Sequence, residues 1–158
     1  MEQIRFGRWV LEADPEATRE AYANVPKSGP AECSCEPCKN FIAARERIYP
    51  AEVLALFEKL GISFDREVEI YHMARMESGK HFYGGWFHFV GSILSGADAA
   101  KQVADNVWRP DLEKMTEDFS LGFSSRVELL RKPFQGKPIV QVEFTANVPW
   151  VIPSAQSK

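Results

Sequence analysis

Glu67-Val68-Glu69-Ile70-Tyr71-His72-Met73-Ala74-Arg75-Met76-Glu77-Ser78-Gly79-Lys80-His81-Phe82-Tyr83-Gly84-Gly85-Trp86-Phe87-His88-Phe89-Val90 reads as a β-hairpin, and the fold class follows from it. Side chains alternate along both arms, the second arm is rich in aromatic residues, and Ser78-Gly79 supplies a turn. With Ser78-Gly79 as a two-residue turn, Glu77 faces Lys80. That register puts His72 opposite Gly85 and Glu69 opposite His88. One face then carries Val68, Ile70, His72, Tyr83, Phe87 and Phe89 and reads as core. The other carries Glu69, Tyr71, Arg75, Trp86 and His88 and is mixed. A one-residue slip would undo these pairings.

Downstream, residues 96–106 are helix-capable, and 111–115 suit a short helical turn. A second hairpin is expected over 117–150. Phe119, Leu121, Phe123, Val127 and Leu129 alternate with polar residues before a turn at Gln135-Gly136, and Val140, Val142, Phe144 and Ala146 do so after it. Residues 149–153 are expected to cover the sheet edge, and the last few residues to fray.

Upstream, 6–11 reads as a short strand. Asp14-Pro15 opens a helix over 15–23, with Asp14 as N-cap. Glu36 and Pro37 start another that Pro50 stops. A third runs over 51–60, closed by Gly61. The sum is α+β: helices mainly in the N-terminal half, packed on an antiparallel sheet of about five strands. A single domain, 1–158, is expected, with a helical part over 1–62 and hairpins over 66–94 and 117–150.

Composition narrows the function classes. A 45% hydrophobic and 26% charged chain is ordinary for a globular protein. Net charge is −3, with no clustered basic residues, so nucleic acid is not an expected partner. No apolar run approaches a membrane span, and no signal peptide is evident, so a cytoplasmic location is expected.

All three cysteines, Cys33, Cys35 and Cys38, fall within six residues where a loop becomes a helix. In a reducing compartment, such a set binds metal, cycles redox or stays reduced. Thiolates are soft ligands that suit zinc, and the helix start favours their charge. A fourth ligand would come from His72, His81 or His88, the only histidines, or from a carboxylate or water. Cys35-Glu36-Pro37-Cys38 also has the C-x-P-C form of thioredoxin-like active helices, but the βαβ setting that gives that motif meaning is missing. Three reduced, partly buried thiols acting as small hydrophobes are the plain alternative.

The mixed hairpin face is the second candidate site. Glu69, Tyr71, Arg75, Trp86 and His88 could bind a small molecule there, beside the close approach that Gly84-Gly85 permits. Cross-strand pairs of these types equally serve as sheet stabilisers, worth roughly 0.2–1 kcal/mol each. No phosphate loop, nucleophile elbow or Ca²⁺ loop occurs.

The C-x-C-x-x-C-x-N-F stretch from Cys33 to Phe41 and the Y-G-G-W-F-H strand from Tyr83 to His88, with the segment 142–150, resemble small bacterial cytosolic proteins of uncharacterised function. The resemblance implies a bacterial origin and one domain, and carries no activity. The expectation is a non-catalytic binding or regulatory module, engaging a protein partner, with a structural knuckle that holds zinc. The alternatives are a thiol–disulfide redox protein and a small-molecule site at Trp86 and His88.

Overall fold

The computed structural model describes residues 1–153. Its elements, in chain order, are β1 (Glu2–Phe6), β2 (Trp9–Ala13), α1 (Pro15–Ala23), α2 (Glu36–Ala44), α3 (Ala51–Leu60), β3 (Glu69–Arg75), β4 (His81–Ser95), β5 (Ala100–Ala104), β6 (Val107–Pro110), β7 (Glu113–Thr116), β8 (Phe119–Ser124) and β9 (Ile139–Val148). The fold is α+β, with its α-helices ahead of β3. The main sheet has seven strands rather than about five, in the order β1-β2-β4-β9-β8-β7, with β3 also on β4. β5 and β6 form a separate two-stranded ribbon.

The 15-residue β4 is the spine. β9 pairs with it from His81 to Val90. On its other edge, β3 takes His81 to Trp86 and β2 takes Gly91 to Ser95. Backbone groups in the gap between β3 and β2 need partners, because a buried unpaired N–H or C=O costs about as much as a lost hydrogen bond. Helix α1 supplies them. The Tyr22 hydroxyl donates to His88 O (2.6 Å) and accepts from His88 N (3.1 Å). Thr18 Oγ1 accepts from Val90 N at 2.9 Å, and Asp14 N donates to Val90 O at 2.9 Å.

The core lies between the helices and the sheet face that carries Tyr83, Phe87, Phe89, Val142 and Phe144. Tyr49 sits among four rings, with centroids 5.5–5.8 Å from Phe57, Phe87, Phe119 and Phe144. Burying each such ring is worth roughly 1.5–3 kcal/mol, and Phe57, 4.8 Å from Phe87, carries α3 into this cluster.

Local signals place the helices well. Asp14 caps α1, its carboxylate accepting from Ala17 N at 3.1 Å. Gly61 ends α3 in the left-handed conformation, φ +84°. For α2 the N-cap is Cys35 rather than Glu36, and the helix ends at Ala44 before a 3₁₀ turn.

The strands depart further from expectation. The first hairpin turns through three residues, Glu77-Ser78-Gly79, closed by Met76 N→Lys80 O (2.8 Å), with Gly79 at φ +90°. A bulge near Met73 shifts the ladder again. Glu69 therefore faces Trp86 instead of His88, and His72 faces Tyr83 instead of Gly85. Past the bulge Arg75 stands opposite His81, away from the mixed face. The single strand expected over 6–11 is the β1–β2 hairpin. The helix-capable segment 96–106 lies instead in and around the β5–β6 ribbon, and residues 111–115 run into β7. β8 stops at Ser124, so Val127 and Leu129 lie in a long connection rather than at a tight hairpin. Residues 149–152 are tied to α2 through Asn40 and set the Trp150 ring on His81 of β4, and the expected fraying of the last residues falls outside the described ones.

Candidate metal centre

The loop that leads to the cysteines is pinned from several sides. Glu67, fully buried, forms a forked pair with Arg45 (Nη2–Oε1 2.7 Å, Nε–Oε2 3.1 Å) and accepts from the Tyr49 hydroxyl at 2.7 Å. Arg45 also reaches Ser28 Oγ at 3.3 Å, and Gly29 N donates to Glu67 O at 2.8 Å. Arg131 holds Glu32 at 3.0 Å and the Lys27 carbonyl at 3.1 Å. A short 3₁₀ turn, Pro30–Glu32, then delivers Cys33.

The three Sγ atoms lie within 4.8 Å of one another. Cys33 and Cys35 are exposed, their sulfurs 3.1 Å apart, and Cys38 is buried on the inner side of α2. A disulfide would need about 2.05 Å, so these are three free thiols. The Cys35 N–H, donating to Cys33 Sγ at 3.5 Å, holds the Cys33 thiol below its usual range, aided by the neighbouring thiols. Burial drives Cys38 the other way, well above the usual thiol range. The set therefore combines one thiol whose surroundings favour ionisation with one whose burial opposes it.

Asn40, two residues on, ties this helix to the C-terminal segment. Its amide donates to Pro149 O (3.1 Å) and accepts from Val151 N (2.7 Å). The Tyr83 hydroxyl donates to Pro37 O at 2.8 Å, and burial pushes its pKa up to about 12. The knuckle is thus anchored to β4 and to the chain beyond β9.

No histidine joins the thiols: among the described residues the group of mutually close ligand atoms is Cys33, Cys35 and Cys38 alone. His72 Nε2 lies 2.7 Å from His81 Nδ1, and the His81 ring packs on Trp150 with centroids 4.5 Å apart. Burial lowers the pKa of both histidines. His81 Nε2 and Trp150 Nε1 are buried and without hydrogen-bond partners. His88 is fully buried opposite Gln141, with Nε2 2.9 Å from Gln141 Oε1, and burial holds its pKa down to about 4.

The mixed hairpin face divides. Tyr71 and Trp86 stay together, rings 6.2 Å apart, and line a cleft of about 240 Å³. Glu69 adjoins Trp86 across the strands, and its charge opposes ionisation of Cys33. Arg75 and His88 are not among the cleft residues, and Gln141 lies between His88 and the opening. Sequence reading missed Trp108, Arg126, Glu128 and Glu143, which complete the cleft. One signal was present: in the alternating run of β9, Glu143 falls on the face opposite Val142 and Phe144, so it had to meet whatever covers the sheet's other side.

Comparison with protein-family models, curated proteins and solved structures finds no match. Among the described residues, no helix is long and apolar enough to cross a membrane.

Proposed function

We propose that this chain is a binding or regulatory module built around a soft-metal site, with Cys33, Cys35 and Cys38 as ligands and zinc as the ion. The observation that carries the reading is the convergence of three sulfurs within 4.8 Å at the start of α2. Zinc–sulfur bonds of about 2.3 Å in a tetrahedron place sulfurs about 3.8 Å apart, so small side-chain shifts complete the geometry. The ion would offset the cost of ionising buried Cys38, and the start of α2 adds a favourable field. The chain supplies three donors; the fourth would be water or a side chain from a protein partner, which makes the exposed Cys33–Cys35 side the interacting one.

Elemental analysis of protein purified without added metal tests this. One zinc per chain, lost in Cys35→Ser and Cys38→Ser, is the expected result. Metal-free protein whose Cys35 and Cys38 exchange with glutathione disulfide would replace the metal reading with redox chemistry. Metal-free, unreactive thiols would remove both.

A further inference from the structure

The geometry points to a binding site for a small organic ammonium ion in the cleft walled by Tyr71, Trp86 and Trp108, with Glu143 as counter-ion. This site shares no residue with the thiol knuckle, so either can fail without the other.

Four separated parts of the chain build it. Tyr71 and Trp86 come from paired strands, and Trp86 stands directly opposite Glu143 on the β4–β9 ladder. Gly84 makes room for the Tyr71 ring: a Cβ there would collide with its hydroxyl-bearing edge. The Trp86 indole N–H donates to Glu128 O at 3.1 Å, which fixes that ring. The β5–β6 ribbon brings Trp108 over the opening.

The charges decide what fits. Arg126 is already engaged, 3.3 Å from Glu128 Oε1 and stacked over the Trp108 ring at 4.5 Å. Glu143 has no basic side chain within ion-pair distance among the described residues, and its carboxyl is half-buried. Burial, then the charges of Glu128 and Asp98, push its pKa up to about 7. After burial, Glu143 and Glu128 likewise raise the Tyr71 phenol. Burial is the larger cause at both groups, and Arg126 favours the ionised Glu143, so what an ammonium ion supplies is a partner for a half-buried carboxylate that has no ion pair among the described residues. The aromatic faces beside it add cation–π attraction. Arg109 and Arg126 also line the cleft, so a second positive centre on the occupant would meet repulsion. The 240 Å³ volume is below the range of drug-sized sites and selects a small molecule.

Butylammonium, 1-butanol and butyrate are the probes, titrated into the full chain and read by tryptophan fluorescence and calorimetry. Saturable butylammonium binding at pH 8 is expected, with the alcohol and the carboxylate weaker by about tenfold or more. Glu143→Gln, an isosteric change, should weaken butylammonium about tenfold and abolish its pH dependence, whereas the wild type weakens from pH 8 to pH 6. Trp108→Ala, on the exposed ribbon, should weaken it several-fold. Equal affinity for butyrate or butanol, unchanged binding in Glu143→Gln, or no saturable binding would overturn the proposal.

Discussion

The thiol knuckle and the aromatic cleft are both chemically equipped, yet they are made in opposite ways. The knuckle takes its three sulfurs from six consecutive residues, and the fold's contribution is to brace the loop behind them. The cleft takes Tyr71, Trp86, Trp108 and Glu143 from four separate stretches, and the fold's contribution is the register that makes them meet. A contiguous site survives small errors in tertiary packing. A site built by register does not, because a one-residue slip reverses every side chain on the strand.

The largest effect should come from the brace behind the knuckle. Arg45→Ala leaves the fully buried Glu67 carboxylate without its forked partner. Breaking such a pair typically costs about 3–5 kcal/mol, since the remaining charge is stranded. Urea denaturation should show a matching loss of midpoint with little change in slope. A loss under about 1 kcal/mol would mean that solvent reaches Glu67 and that the brace is weak.

Metal removal separates the two regions next. Ligand present at about a thousand times its Kd stabilises by about 4 kcal/mol, so chelation should lower the Tm of the purified protein by an amount that depends on zinc affinity. Cys38→Ser should show one low Tm with or without chelator. Butylammonium affinity should remain as in the holo protein. If chelation changes it, the knuckle and the cleft are coupled and do not fail independently.

What was legible in the sequence follows the same division. Asp14, Pro15 and Gly61 bracket α1 and α3 through hydrogen bonds and backbone angles confined to a few residues, so reading them needs no tertiary knowledge. The cysteine cluster was visible for the same reason. The hairpin faces were assigned correctly from Glu69 to His72, but the opposed residues were off, because a three-residue turn and a bulge at Met73 look in sequence like ordinary alternation. The β5–β6 ribbon is almost wholly exposed, its apolar Val103, Val107 and Trp108 included, so it lacks the period-2 signal that marks a half-buried strand. Hence Trp108 could not be placed, and Glu143 could not be matched to Trp86 without the β4–β9 register.

Asn40 gives a smaller test, confined to the knuckle's far side. Asn40→Ala removes the acceptor for Val151 N and the donor to Pro149 O, both partly buried. A loss of about 1–3 kcal/mol is expected, with faster amide exchange at Val151. Unchanged exchange there would show that the 149–152 segment is held by the Trp150–His81 ring contact instead.

The smallest effect belongs to the cleft and is read through pH. Burial chiefly raises the Glu143 carboxyl in the folded protein from its ordinary 4.5 to about 7. A raised acid favours the folded state in its protonated form, so its stabilising contribution is complete below about pH 4.5 and is lost as pH rises through about 7. With partial exposure screening the effect, about 1–2 kcal/mol should disappear between those limits. Glu143→Gln cannot ionise, so the variant should be the more stable protein at pH 8 and should lose its advantage by pH 5. His72 and His81 titrate in both proteins, and the difference curve between wild type and variant cancels them. A flat difference curve would place the Glu143 carboxyl in open water and leave the cleft as a stretch of ordinary sheet surface. A sloped one that butylammonium flattens would tie the cost of ionising Glu143 to the ligand that relieves it.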